Sequence, residues 1–182
     1  KHFPGDGIDE RDPHIATSVN SLSCEEWDRT YGKVYRGMID AGVQSLMPGH
    51  IMLPAYQKKF NPTMRDDEYV PATLSKELLT DLLRGQLGFN GLIVSDASHM
   101  VGLTGRAKRS ELVPQSIMAG CDMFLFTKNL EEDIEFMKKG YRDGVFDDAR
   151  LDEAVTRILA LKASLGLPEK QKAQKLVPSE DE

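Results

Sequence analysis

Three short apolar runs, 43–47, 92–95 and 122–126, alternate with longer segments whose apolar residues recur at helical spacing. Strands separated by amphipathic helices must run parallel, because the connection returns each strand to the same edge-to-edge direction. The expected order is a loop over 1–22, then helix, strand, helix, strand, helix, strand and two helices. Ser23 and Glu26 have the spacing of a capping box, which predicts a helix over 25–41. Pro48-Gly49 closes the first strand. Residues 49–72 carry Pro54, Pro62 and Pro71 and read as an irregular, packed excursion. Ser75 caps a helix that buries Leu78, Leu79, Leu82 and Leu83 and stops at Gly88. Further helices are expected over 109–119, with Pro114 inside, over 130–140, and over 148–165. The charged tail from Pro168 is expected to fray.

In parallel α/β folds the reactive groups collect at the outgoing ends of the strands. All four histidines fall near such ends. His50 follows the first strand, and Asp96 ends the second with His99 just beyond. Thr127 and Lys128 close the third. The loop Lys1-His2-Phe3-Pro4-Gly5-Asp6-Gly7, with Asp12-Pro13-His14 after it, would hang over the same face. A carboxylate at a buried strand tip is held by rigid backbone, as a nucleophile or base requires, so Asp96 is the first catalytic candidate. The bland alternative is an Asp that caps a turn. Asp12 and His14 can pair so that the carboxylate fixes one imidazole tautomer and raises the basicity of the other nitrogen. The alternative is a solvated surface pair. Lys1, His2 and His50 are candidates for hydrogen-bonding a polar substrate, against ordinary polar residues at strand ends and a satisfied structural histidine.

Composition removes several classes. The 182 residues are 40% hydrophobic, enough for one core, and no apolar run approaches the ~20 residues that span a bilayer. A net charge of −6 with dispersed basic residues argues against a nucleic-acid partner. No pair of histidines has ligand spacing on a helix and the two cysteines form no cluster, so no metal or other cofactor is expected. Cys24 and Cys121 read as free thiols, which suits a reducing compartment such as the cytoplasm. No leader is visible, but the chain opens inside a motif, so the native start is expected upstream.

These motifs together resemble glycoside hydrolase family 3, closest to its β-N-acetylhexosaminidase branch. Lys1-His2-Phe3-Pro4-Gly5-x-Gly7 with Asp12-x-His14 is similar to the family signature, and Gly88-Phe89-x-Gly91-x-Ile93-x-Ser95-Asp96 to its nucleophile segment. Ala119-Gly120-Cys121-Asp122-Met123 resembles its last barrel strand, and Arg150-Leu151-Asp152-Glu153-Ala154-Val155-x-Arg157-Ile158-Leu159 its closing helix. The likeness runs to about Leu167. It implies the C-terminal half of a (β/α)8 TIM-type barrel, strands five to eight, with the N-terminal half absent from this chain. Residues 1–167 would be that partial catalytic barrel and 168–182 a tail or linker.

By the resemblance, Asp96 is the nucleophile, His14 the acid/base and Asp12 its partner, while Lys1 and His2 bind sugar hydroxyls and His50 also serves the substrate. The implied partner is a carbohydrate. The implied activity is retaining release of terminal β-linked N-acetylglucosamine. The alternatives are phosphorolysis of the same linkage, a β-glucosidase or β-xylosidase, and a catalytically inactive sugar-binding barrel. Three departures stand out: Pro13 between the dyad members, Ala97 in place of a second acid after Asp96, and Met47-Pro48-Gly49-His50 where Thr-Ala-His is usual.

Overall fold

The computed structural model describes residues 1–173. Strands are short and all pairing is parallel. β2 (Ser45–Leu46) pairs with β4 (Leu92–Ile93), and single parallel bridges extend that pair on both sides, Phe3 to Pro48 and Val94 to Met123. The chain thus lays down four neighbouring parallel segments in sequence order. Phe3 N–H donates to Met47 O at 2.9 Å, Leu92 N–H to Gln44 O at 2.9 Å, and Ser95 N–H to Met123 O at 2.9 Å. The expected strand over 122–126 shrinks to the Met123 bridge. It has a ladder partner on one side only, and its end turns outward, leaving Phe126 exposed.

A second parallel pair joins β1 (Ser18–Val19) to β3 (Ile51–Met52). Neither was expected, because Ser18–Val19 lies in a polar loop and Ile51–Met52 in the proline-rich excursion, outside any apolar run long enough to mark a strand. The excursion over 49–72 is built rather than irregular. It contains β3, the helix α3 (Pro54–Phe60) started by Pro54, and short 3-10 turns at Asp66–Glu68 and Ala72–Leu74. Proline is preorganised for the first helical turn, where its missing N–H costs nothing.

The capping box at Ser23 forms as expected, with Glu26 N–H donating to Ser23 Oγ at 3.2 Å and Ser23 N–H to Glu26 Oε2 at 3.0 Å. The helix it starts is split into α1 (Cys24–Arg29) and α2 (Tyr31–Asp40). Thr30 breaks it. Its hydroxyl donates back to Glu26 O at 2.7 Å, a bond that bends helices. Tyr31 is held from outside, its hydroxyl donating to Asp6 O at 2.7 Å.

Residues Glu77–Gln86 wind as a π-helix, with Leu78, Leu79, Leu82 and Leu83 buried as their spacing predicts. Gly88 takes φ +73° just beyond it, a conformation that favours glycine. α4 (Val101–Thr104) follows β4. α5 (Arg109–Ala119) accommodates Pro114, α6 is Leu130–Arg142 and α7 is Asp148–Ser164. The tail expected to fray from Pro168 begins as a helix, α8 (Leu167–Ala173); the rest of that expectation, 174–182, lies outside the described residues.

The core packs Phe3, Trp27, Leu53, Tyr56 and the π-helix leucines under the strands. Trp27 also donates its indole N–H to Pro4 O at 2.7 Å, which ties the first loop to α1. At the incoming strand ends, the fully buried Asp122 carboxylate meets Arg84 at 2.7 Å and Arg150 at 2.9 Å, with Arg157 at 3.5 Å. It also accepts from Ile93 N–H at 2.9 Å. This clamp joins the π-helix, β4 and α7.

Candidate active site

A cavity of about 280 Å³ opens at the outgoing ends of the strands. Lys1, His2, Asp12, His14 and Asp96 all line it. A larger hollow of about 670 Å³ lies at the incoming ends of β2 and β4, against α7. None of the sequence-predicted site residues lines that hollow, so the chemistry-bearing groups gather at one end.

Asp96 is reached two residues after Val94, which follows the buried Ile93 out of the ladder. Its side chain is 14% exposed, so it is largely withdrawn from water yet faces the cavity. One carboxylate oxygen accepts Ala97 N–H at 2.7 Å. The other stands 3.8 Å from His2 Nε2. Ser95 anchors the turn beneath it: its hydroxyl donates to Leu125 O at 3.1 Å and accepts Leu125 N–H at 2.8 Å. One backbone bond thus orients the carboxylate directly, and the Ser95–Leu125 pair fixes the turn that carries it.

Asp12 and His14 form a self-contained dyad. Asp12 Oδ1 accepts the His14 amide at 2.9 Å and lies 2.7 Å from His14 Nδ1. A carboxylate can only accept there, so Nδ1 carries hydrogen and Nε2 is the nitrogen left to exchange a proton. The amide bond first, and the ring bond second, hold the Asp12 carboxyl below its ordinary value. The loop that presents the dyad is braced upstream. Arg11 grips Asp9 through two guanidinium nitrogens, Nε at 2.8 Å and Nη2 at 2.5 Å, and Asp9 accepts Val19 N–H at 2.8 Å.

His50 corrects the expectation of a substrate contact. The ring is fully buried, Nδ1 lies 3.0 Å from Thr73 Oγ1, and Nε2 lies 3.0 Å from Ala97 O. Since a carbonyl only accepts, Nε2 carries hydrogen and donates to it. Burial pushes the imidazole below its ordinary value, which keeps it neutral. Both nitrogens are thus occupied, Nε2 in bracing the turn after Asp96 and Nδ1 against Thr73. His99 is exposed and outside the cavity lining.

Three lining residues escaped the sequence reading: Asp6, Ile51 and Met100. Asp6 could have been found, since it sits inside the Gly5-x-Gly7 turn already singled out. Ile51 and Met100 could not, because nothing in an isolated apolar residue marks it as a cavity wall. Both cysteines are free thiols. Among the described residues, no group of three or more His, Cys, Asp or Glu side chains could hold a metal ion, and no helix is long and apolar enough to cross a membrane.

Residues 1–161 match the family model described as the glycosyl hydrolase family 3 N terminal domain. A beta-N-acetylglucosaminidase/beta-glucosidase from Cellulomonas fimi is 61% identical over 167 residues, covering 92% of this chain and 30% of that protein. The solved structure of the beta-glucoside phosphorylase BglX bound to 2FGlc superposes with a TM-score of 0.91 at 49% identity, covering 93% of this chain and 30% of that one. A family 3 beta-N-acetylglucosaminidase from Paenibacillus sp. str. FPU-7 superposes with a TM-score of 0.79 at 31% identity, over 90% of this chain and 30% of that one. The chain thus spans about 30% of the length of these relatives.

Proposed function

The chain belongs to glycosyl hydrolase family 3, and we propose that it forms the part of a catalytic barrel that cleaves terminal β-linked N-acetylglucosaminides with retention of configuration. The observation that carries this reading is the shared cavity: a withdrawn carboxylate, Asp96, and an exposed imidazole dyad, Asp12–His14, face one space of sugar-ring size together with Lys1 and His2.

In the first step an Asp96 oxygen bonds to the anomeric carbon as the glycosidic C–O bond breaks. The His14 imidazolium gives its proton to the departing oxygen. In the second step neutral His14 takes a proton from water, the water oxygen bonds to the anomeric carbon, and the Asp96 ester bond breaks. Most retaining glycosidases use two carboxyl groups for these roles. Here Asp12 supports the positive charge that His14 carries before the first step and after the second. Lys1 and His2 hold sugar hydroxyls, and His2, 3.8 Å from Asp96, also helps keep that carboxylate oriented.

We further propose that the chain forms strands five to eight of a (β/α)8 barrel. Four parallel segments in chain order are what strands five to eight of a (β/α)8 barrel require. Val34 and Met38 on α2, and Leu151, Val155 and Leu159 on α7, are exposed apolar side chains on helices. They supply the surface that the remaining staves and helices of such a barrel would cover.

A second acceptor is favoured by a specific feature. A neutral imidazole does not repel an incoming phosphate dianion as a carboxylate base would. Phosphate then replaces water in the second step and leaves as part of a sugar 1-phosphate. The likeness to the beta-glucoside phosphorylase supports this version, and the double description of the Cellulomonas fimi relative supports acceptance of glucosides beside N-acetylglucosaminides. Initial rates of the full-length protein on aryl N-acetylglucosaminide and aryl glucoside, with and without phosphate, test the reading. Aryl N-acetylglucosaminide should be cleaved, and sugar 1-phosphate should appear in proportion to phosphate if phosphate is an acceptor. A wide preference for glucoside would overturn the sugar assignment. Absence of sugar 1-phosphate at every phosphate concentration would remove the second acceptor.

A further inference from the structure

The dyad loop is hydrogen-bonded to the segment that begins at Asp96, although the two are some eighty residues apart in the chain. Val101 N–H donates to His14 O at 3.1 Å, and Gly102 N–H donates to Pro13 O at 3.0 Å. In the opposite direction Thr17 Oγ1 donates to Gly102 O at 2.8 Å. Three bonds thus lock the loop of the imidazole onto the first turn of α4, five or six residues after Asp96. The fit is tight at one point. A Cβ on Gly102 would stand 2.7 Å from Pro13 O, 3.1 Å from Ala16 O and 3.1 Å from His50 Cβ. Only glycine lets the loop seat there, because the first contact is with backbone that has no flexible end to swing aside.

The dyad is closed on itself. The bonds that set the His14 tautomer run within residues 12–14 and do not involve α4. Orientation of the imidazole and its distance from Asp96 are therefore set by different bonds. From this separation we infer that Thr17 and Gly102 are positioning residues, a latch that fixes the reach of His14 relative to Asp96. The inference rests on the roles proposed above for those two residues. Releasing the latch leaves both reactive groups intact but lets the proton donor drift from the bond it must protonate, and misplacement of that kind slows proton transfer steeply.

The test uses the full-length protein with Thr17→Val, Thr17→Ser and Gly102→Ala. Thr17→Val keeps the shape and removes the donor; Thr17→Ser keeps the donor. The readout is kcat/KM, which reports the first chemical step, on glycosides with an activated leaving group such as 2,4-dinitrophenolate and a poor one such as 4-methoxyphenolate. Only the poor leaving group needs protonation. Thr17→Val and Gly102→Ala should lose about tenfold or more on the poor leaving group and less than about twofold on the activated one, with Thr17→Ser near the parent on both. Equal loss on both substrates, or no loss on either, would overturn the latch. Hydrogen exchange separates this from a failure of the functional reading. If the parent cleaves neither substrate, the assigned chemistry is at fault, and the latch is still judged by its amides. Exchange at Val101 and Gly102 should rise in Thr17→Val while the π-helix amides stay unchanged, and unchanged exchange at Val101 and Gly102 would overturn it.

Discussion

At the residue scale, the site separates groups that face the cavity from groups that hold them. Asp96, Asp12, His14, Lys1 and His2 face it. His50 and Ser95 do not, and spend their hydrogen bonds on the backbone around Asp96. His50 gives a pH prediction whose sign follows from its burial. The folded ring binds a proton less readily than the ordinary value of 6.5. As pH falls, the unfolded chain is protonated first, so this contribution is complete above about 6.5 and declines below it until the folded ring also titrates. The fall in Tm between pH 7 and pH 5 should be shallower in His50→Gln than in the parent; an equal slope would show that the ring is not held neutral. Cys121 gives a second prediction. Burial pushes its thiol up to about 12, so it should resist thiol reagents until the chain unfolds. Labelling of Cys121 in the native protein, read by mass spectrometry of its peptide, would contradict that. The residue reading from sequence located a charged group after an apolar run, Asp96, and that residue lines the cavity. It failed at His50, because a spacing rule places a side chain near a strand end without saying which way it points.

At the element scale, the clamp on Asp122 decides whether the strand ends stay together. Its carboxylate is fully buried between Arg84 and Arg150 and also accepts Ile93 N–H. Asp122→Asn leaves those guanidiniums without their counter-charge, and removing one partner of a buried pair costs about 3–5 kcal/mol. The solvent-facing pair Lys76–Asp81, at 3.0 Å, should matter far less, with Lys76→Ala costing about 1 kcal/mol or under. Urea denaturation monitored by circular dichroism distinguishes the two; similar midpoints for both variants would contradict the clamp. Helices with long apolar faces were legible in the sequence: the leucines of the π-helix are buried as spaced, and the helix over 109–119 has the expected bounds. What was not legible is structure held by single bonds. β1 and β3 are two residues long, and the break at Thr30 depends on a side-chain bond to Glu26 O. Periodicity cannot register either.

At the scale of the whole molecule, parallel segments in chain order bring residues from both ends of the first hundred positions to one face. That convergence is the reason the site exists: Lys1 and Asp96 are distant in sequence and line the same cavity. Strand alternation and the outgoing-end rule together predict this convergence from the sequence. The cost of this arrangement is that no single element carries the chemistry, so loops must be tied to one another, as 12–17 is to Val101 and Gly102. In the proposed mechanism Asp96 carries the sugar between the two steps. That role is tested most directly by mixing the full-length protein with an activated 2-deoxy-2-fluoro glycoside, in which fluorine slows release of the covalent species, and mapping the adduct by peptide mass spectrometry. One glycosyl mass is expected on the peptide containing Asp96, and none in Asp96→Ala. An adduct on a different residue, or turnover that survives in Asp96→Ala, would contradict it.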